Sequence, residues 1–369
     1  MVFSRESSVH EPGQSGRRSP IWLLLASVLL VSACTGTDEM KPDDLPPHHT
    51  AKGFRNLHIE DPDKTFFSFL RMRLFGETKW ADHEETADQV PVQPLPPERL
   101  EAGHDDTRIS WLGHSTFLIQ RGGINILTDP VFSDRASPLS FAGPARYIAH
   151  VIDYSELPKI DYVVISHNHY DHLDERAVSQ LAERTSDSTV FLVPLGLGSW
   201  MTDAVVDADK VREMDWWEQT DFGKLSIQAQ PSQHWSARSL FDKMESLWAS
   251  WLIDFDGHTI WFAGDTGYND KQFKEIAERS PPIRLALIPI GAYSPRWFMK
   301  YYHVNPEEAV LMHQDLKAQQ SIGMHWGTFP LTAEPPMEPL QRLKDARAAA
   351  GIDAETFGTM AVGESRIVR

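Results

Sequence analysis

The segment His167-Asn168-His169-Tyr170-Asp171-His172 places four potential metal ligands within six positions. It follows Val163-Val164-Ile165, an apolar β-branched run that reads as a buried strand. In extended backbone His167 and His169 project from one face, and Asp171 and His172 follow as the chain turns, so that they can address a second ion. Without an ion, imidazoles sharing a half-buried loop would become cationic and repel one another, whereas a divalent metal takes each one neutral. Metal-ion chemistry is therefore the expectation, and a merely solvated polar loop is the competing one. Ala177, Val178 and Leu181 lie on one face of residues 174–181, which predicts a helix directly after the cluster. The cluster then sits in a strand-to-helix loop.

Three more residues stand at predicted strand ends. His234 follows the strand-like residues 225–229, Asp265 follows Trp261-Phe262-Ala263-Gly264, and His325 follows Ile322-Gly323-Met324. Gly264 and Gly267 allow backbone to approach closely whatever Asp265 holds. Each alone would be an ordinary loop residue; their recurrence after strands is the signal. The elements that must carry them are strands at 109–112, 116–119 and 124–128, the last leading into Asp129-Pro130, and a strand at 190–193. A hairpin over 247–255 and 258–263 turns through Asp256-Gly257. A strand at 285–290 precedes a helix that starts at Pro306, with Asn305 as its N-cap and Glu307 and Glu308 in the first turn. A strand at 321–324, a helix at 338–350 and a closing strand complete the chain. Two β-rich halves with interspersed helices imply an α+β protein of two packed sheets.

HNHYDH together with His234, Asp265 and His325 resembles the metallo-β-lactamase superfamily. More narrowly, residues 165–174, 262–268, 288–302 and 325–329 resemble the N-acylphosphatidylethanolamine-hydrolysing phospholipases D, as do Thr128-Asp129-Pro130 and Arg135-Ala136-Ser137-Pro138. The resemblance runs from about residue 107 to the C-terminus. It implies an αββα sandwich of two mixed sheets flanked by helices, with two zinc ions at one edge. His167, His169 and His234 would hold one Zn²⁺, Asp171, His172 and His325 the other, and Asp265 would bridge them. Asp171 and Asp265 are both candidates for handling a proton, and Asp129 would orient a ligand histidine or its loop. His303 is matched to a catalytic and substrate-contacting role, and Tyr170 to substrate binding.

Trp216, Trp217, Trp235, Trp297, Phe298 and Met299 would line an acyl groove or fill the core, while His114, His150, His258 and His313 default to structural or surface roles. The implied reaction converts N-acylphosphatidylethanolamine to N-acylethanolamine and phosphatidic acid. The same site could instead serve another phospholipid, a cyclic phosphodiester or a lactone. A non-catalytic envelope lipoprotein is disfavoured because the ligand set is complete.

A chain of 369 residues that is 41% hydrophobic can bury a large core, and one catalytic domain with appendages suffices. Its net charge of −17 argues against a nucleic-acid partner and against electrostatic adhesion to a membrane. Arg17 and Arg18, the apolar residues 21–31 and Ser32-Ala33-Cys34 have the shape of a signal peptide. Val31-Ser32-Ala33-Cys34 resembles the bacterial lipobox, which implies a lipidated Cys34 as first mature residue, with a plain secretory signal or uncleaved anchor as the alternative. Thr35 in place of aspartate favours the outer membrane, and thus a phospholipid substrate reached from a lipid anchor. The expected division is a signal peptide at 1–33, a tether and extension at 34–106, and a catalytic domain at 107–369. Residues 35–53 are polar and proline-bearing, so they are expected not to pack, with His48 and His49 incidental. The apolar-rich residues 66–75 are expected to form a helix packed on the main domain.

Overall fold

The computed structural model describes residues 45–62, 64, 66–100, 105–184, 188–204 and 206–368. The expected leader and Cys34 lie outside them. Leu45–Arg369 forms one compact unit. A small hairpin, β1 (His49–Thr50) and β2 (Gly53–Phe54), precedes α1 (Phe66–Phe75) and α2 (His83–Thr86). Then come β3 (Thr107–Gly113), β4 (Thr116–Arg121), β5 (Ile124–Thr128), β6 (Tyr162–Val164), α3 (Glu175–Arg184), β7 (Val190–Pro194), α4 (Gly198–Asp203) and β8 (Val211–Met214). The second half carries β9 (Gln219–Asp221), β10 (Leu225–Gln230), β11 (Ser250–Phe255), β12 (Thr259–Phe262), α5 (Gln272–Arg279) and β13 (Leu285–Pro289). It ends with α6 (Arg296–Met299), α7 (Pro306–Asp315), β14 (Gln320–Met324), α8 (Glu338–Ala349), β15 (Phe357–Thr359) and β16 (Ser365–Val368).

The strands form two seven-stranded mixed sheets, in the orders β16-β3-β4-β5-β6-β7-β8 and β15-β14-β13-β12-β11-β10-β9, so the last strand of the chain returns to complete the first sheet. In the first, pairing is antiparallel from β16 to β5 and parallel from β5 to β8. The second repeats the scheme, antiparallel from β9 to β12 and parallel from β12 to β15. The period of two along each strand sorts its side chains between two cores. Phe117, Ile119, Val164 and Leu192 join Trp251, Ile253 and Trp261 between the sheets. From the same strands, Leu118, Val163, Ile165, Phe191 and Val193 pack with Ala177, Val178 and Leu181 of α3 and Met201 of α4. A strand covered on both faces must be apolar at every position, which is why Val163-Val164-Ile165 shows no alternation. Each such buried Phe, Leu or Ile contributes roughly 1.5–3 kcal/mol. The result is the expected sandwich of two mixed sheets flanked by helices.

Two contacts lock the sheets together beside the end of β6: Trp251 Nε1 donates to Ile165 O at 3.0 Å, and Ala249 N donates to Ser166 O at 2.8 Å. The helix at 306–315 forms as expected, with a reciprocal capping box between Asn305 and Glu308. Helix α5 was not anticipated; it buries Phe273 and Ile276 and starts where Asn269 Oδ1 accepts from Gln272 N at 2.8 Å.

Of the expected tether, the described residues 45–53 depart from the expectation. His48 is only 5% exposed and stacks on Trp216 with ring centroids 4.3 Å apart, and Phe54 N donates to Met244 O at 2.9 Å. The polar composition hid this because imidazole and amide groups here find their hydrogen-bond partners across the chain rather than in water. Helix α1 forms where expected but packs only in part. Met72 is buried and Phe69 approaches Trp80 and Phe298, whereas Phe67, Leu74 and Phe75 are 68%, 62% and 82% exposed. A helix that is apolar around its whole circumference can bury only one side against a single neighbour. Among the described residues no helix is long and apolar enough to cross a membrane.

Candidate metal centre

The C-terminal ends of β6, β12 and β14, with the loop after β10, bring seven sequence-predicted residues to one edge of the sandwich. His169 Nδ1 lies 2.8 Å from His167 Nε2 and 3.2 Å from His234 Nε2. Beside this trio, His172 Nε2 lies 3.1 Å from His325 Nε2, and Asp171 Oδ2 lies 3.5 Å and 3.4 Å from those two nitrogens. Asp265 stands between the groups, its oxygens 3.0 Å from His325 Nε2, 3.2 Å from His172 Nε2 and 3.8 Å from His234 Nε2. His167, His169 and His234 form one set able to hold a metal ion, Asp171, His172 and His325 belong to a second, and Asp265 falls in sets with each side.

The remaining ring nitrogens decide whether these donors suit a cation. His234 Nδ1 donates to Tyr302 O at 2.9 Å, and His172 Nδ1 lies 2.6 Å from Asp129 Oδ2. Ser166 Oγ donates to Asp129 Oδ2 at 2.6 Å and faces His167 Nδ1 at 2.9 Å. This network assigns the proton of His167, His172 and His234 to Nδ1 and directs three bare Nε2 lone pairs inward. The buried Nε2 of His169 and Nδ1 of His325 have no partner. Lone pairs converging at hydrogen-bond distance, with two carboxylates among them, fit divalent cations.

The electrostatics agree. Burial opposes charge on His172 and His325, yet Asp265 and Asp171 outweigh it, holding His172 well above the ordinary imidazole range and raising His325 to about 9. Burial likewise opposes ionisation of Asp171 and Asp265, but the surrounding imidazoles keep both carboxyls well below their ordinary value. His114 and His169 fall to about 3 and His234 to about 4, chiefly through burial. In the metal-free protein, protons on His172 and His325 thus compensate the carboxylates at the place where cations would do so.

The backbone is shaped for this packing. His114, Asp129 and His325 have φ of 53°, 31° and 64°, left-handed values unusual away from glycine. At Gly291 a Cβ would come 2.0 Å from His325 O, so only glycine lets that strand end pass so near. His303 stands next to the cluster, Nδ1 buried without a partner and 3.7 Å from Asp265 Oδ2. Tyr170 donates its hydroxyl to Arg238 O at 2.8 Å, while its ring lines a cleft of about 640 Å³ together with Leu139, Trp200 and Arg238. Trp235 packs 4.4 Å from the ring of His169, whereas Trp216 belongs to the core between the sheets and Trp297 is 62% exposed.

His114 needs correction: it is part of the cluster. Its Nε2 lies 3.0 Å from Asp171 Oδ2 and its ring centroid 3.9 Å from that of His325. The signal was present, since Gly113-His114 ends β3 as the other histidines end their strands. Sequence reasoning also missed three supports. Asp174 Oδ2 accepts from Phe132 N and Ser133 N, both at 2.7 Å, and ties the loop after β5 to the metal loop. Arg238 Nη1 donates to Asn168 O at 2.9 Å and Leu173 O at 2.7 Å. Asn56 Nδ2, from the N-terminal segment, donates to His234 O at 2.8 Å.

The Beta-lactamase superfamily domain family matches residues 124–326, the span from β5 to the loop after His325. The chain belongs to the metallo-β-lactamase superfamily. It is 43% identical over 334 residues to N-acyl-phosphatidylethanolamine-hydrolyzing phospholipase D 1 of Caenorhabditis elegans, covering 85% of this chain and 94% of that one. The mitochondrial protein of the same activity name from Saccharomyces cerevisiae is 41% identical over 241 residues, 64% of this chain and 50% of that one. Among solved structures, a metallo hydrolase from Ignicoccus hospitalis shares the fold, with TM-score 0.53, 24% identity, and coverage of 70% of this chain and 97% of that one. As a superfamily member with this cluster of histidines and aspartates, the chain is a metal-dependent hydrolase.

Two outcomes are expected. Asp129→Asn removes the carboxylate that sets the tautomer of His172, and metal affinity should fall about 10- to 100-fold in a chelator-competition titration; an unchanged affinity would count against that role. In chelator-treated protein, His325 is raised from 6.5 to about 9, so its stabilising contribution is full below pH 6.5 and is lost as pH climbs through about 9. His114, His169 and His234 are lowered from 6.5, so stability also declines as pH drops below that value. The Tm of metal-free protein should therefore peak near pH 6.5, and loading with metal should abolish the alkaline decline in a differential-scanning series.

Proposed function

We propose that the chain is a dizinc phosphodiesterase that hydrolyses N-acylphosphatidylethanolamine to N-acylethanolamine and phosphatidic acid. The observation that carries the reading is the histidine and aspartate cluster, whose loop also sends Tyr170 into a cleft lined by Leu139, Trp200 and Arg238. The 43% identity to the worm phospholipase supports the choice of headgroup. A phosphodiester monoanion with long acyl chains needs cationic and apolar surface side by side, and this edge supplies both. Exposed Leu139, Phe141, Leu240 and Phe241, from segments that contribute to the cleft, suit a substrate presented at a lipid layer.

His167, His169 and His234 would hold one zinc, Asp171, His172 and His325 the other, and Asp265 would serve both. Two zinc ions, when bound, supply acidified water and positive charge for the phosphoryl oxygens. Asp171 and Asp265, kept ionised by the imidazoles around them, accept hydrogen bonds from the attacking water and so orient it. His303, which burial holds neutral, offers its imidazole N–H to a phosphoryl oxygen. Tyr170 contributes its ring to the cleft, because its hydroxyl is engaged by Arg238 O. The reaction adds water across the bond between phosphorus and the ethanolamine oxygen, which leaves with a proton.

The catalytic domain in this reading is 107–369, carried after a signal peptide at 1–33 and an extension at 34–106, with Cys34 lipidated and the protein held at the outer membrane of a bacterial envelope. Tethering keeps the active edge within reach of its lipid substrate.

Zinc-loaded protein given mixed micelles of N-acylphosphatidylethanolamine and phosphatidylcholine should release N-acylethanolamine and phosphatidic acid by mass spectrometry, and His169→Ala should lower the rate at least about 100-fold. Intact phospholipids beside a folded, zinc-bearing protein would refute the assignment and point to a lactone or cyclic phosphodiester. Cys34→Ser should move the protein from the membrane to the soluble fraction; unaltered partitioning would remove the lipid anchor.

A further inference from the structure

We propose a separate cation site, sharing no residue with the centre described above, formed by His48, His49 and Asp215. His48 Nε2 lies 2.6 Å from Asp215 Oδ1, and His49 Nε2 lies 2.8 Å from Asp215 Oδ2. The three donor groups fall within 4.8 Å of one another, the compass of a single ion. Consecutive side chains in a regular strand point to opposite faces, so two adjacent imidazoles reach one carboxylate only if the backbone turns between them. It does so: Pro47 and His48 form the centre of a turn that His49 N closes by donating to Pro46 O at 2.9 Å, and His49 then opens β1.

Both rings are held in place before any ion arrives. His48 stacks on Trp216 at 4.3 Å, and His49 meets Phe54 edge-on at 5.0 Å. The side chains of His49 and Asp215 remain 18% and 15% exposed, which leaves a path from solvent and room for water to complete the coordination. Two imidazoles and one carboxylate suit Zn²⁺ and the other divalent first-row ions that accept imidazole, and not Ca²⁺ or Mg²⁺, which prefer oxygen.

The position gives the ion a structural task. Asp215 follows β8, and the segment it grips continues through Phe54, bonded to Met244 O, to Asn56, whose amide holds His234 O. Asn56 is 6% exposed and bonds across 178 residues to the backbone of a histidine in the catalytic cluster. A cation at His48, His49 and Asp215 therefore fastens the strap that positions His234.

The competing arrangement has both imidazoles and Trp216 N donating to one carboxylate with no ion, and His49→Gln separates the two because glutamine keeps a side-chain N–H donor but binds zinc poorly. Full-length detergent-purified protein, stripped and reloaded with zinc, should hold one ion fewer per chain as His49→Gln than as wild type by inductively coupled plasma mass spectrometry, with its circular dichroism unchanged. Asp215→Asn should lose the same ion, and His169→Ala a different one, so the combined variant should lose both. Because metal count is the readout, the result does not depend on which phospholipid is cleaved. Equal zinc content in wild type, His49→Gln and Asp215→Asn would overturn the site and leave a hydrogen-bonded clip. A check without variants is anomalous diffraction at the zinc edge on wild-type crystals: a peak between the two imidazoles and Asp215 is expected, and its absence refutes the proposal.

Discussion

Burying two carboxylates among imidazoles at the edge of a hydrophobic sandwich is the constraint on which the rest of this structure depends. An uncompensated charge in such a place would cost several kcal/mol. Asp171 and Asp265 stay ionised only because His172 and His325 take up positive charge beside them when no metal does. Protons and cations are thus alternative sources of the positive charge that these carboxylates need. The structural preference for metal and the electrostatic need for positive charge are one property seen from two sides.

Such a centre works only if its donors cannot relax away from one another. The protein prevents this by rooting each donor at a strand end and bracing it from behind. Asp129 receives Ser166 N, Ser166 Oγ and His172 Nδ1 at 2.7, 2.6 and 2.6 Å, so a single buried carboxylate orients two neighbouring histidines of the cluster, one of them through the serine. Trp251 and Ala249 of the second sheet seize the carbonyls of Ile165 and Ser166 in the first, which sets the separation of the two sheets at the point where the donors must meet. Strain at Asp129, His114 and His325 is affordable there because these contacts over-determine the backbone.

The edge also explains why a hydrolytic centre and a cleft can share a loop. Tyr170 lies between His169 and Asp171 of the cluster, yet its ring lines the cleft and its hydroxyl is tied to Arg238. Arg238 lies across Tyr170 and Trp200 at 4.1 and 4.6 Å and returns two bonds to the backbone of the metal loop. The cleft and the histidine and aspartate cluster are therefore joined through one braced loop.

What the sequence determined by itself was written in short-range pattern, although the short helix α5 escaped it. The apolar runs predicted the strands, Asn305 with Glu308 predicted a helix start, and the spacing of HNHYDH predicted converging imidazoles, because periodicity and capping act within a few residues. His234, Asp265 and His325 were legible for the same reason, each standing just beyond a readable strand. Tertiary structure alone decided the partners that meet across long stretches of chain. His114 reaches Asp171 across 57 residues, His48 reaches Asp215 across 167, and Asn56 reaches the backbone of His234 across 178. No local rule marks such residues, since their energy comes from filling a hydrogen-bond vacancy that exists only once both sheets have closed. The exposed face of α1 was misjudged on similar grounds: composition counts apolar side chains, but only the shape of the neighbouring surface decides how many of them it can cover.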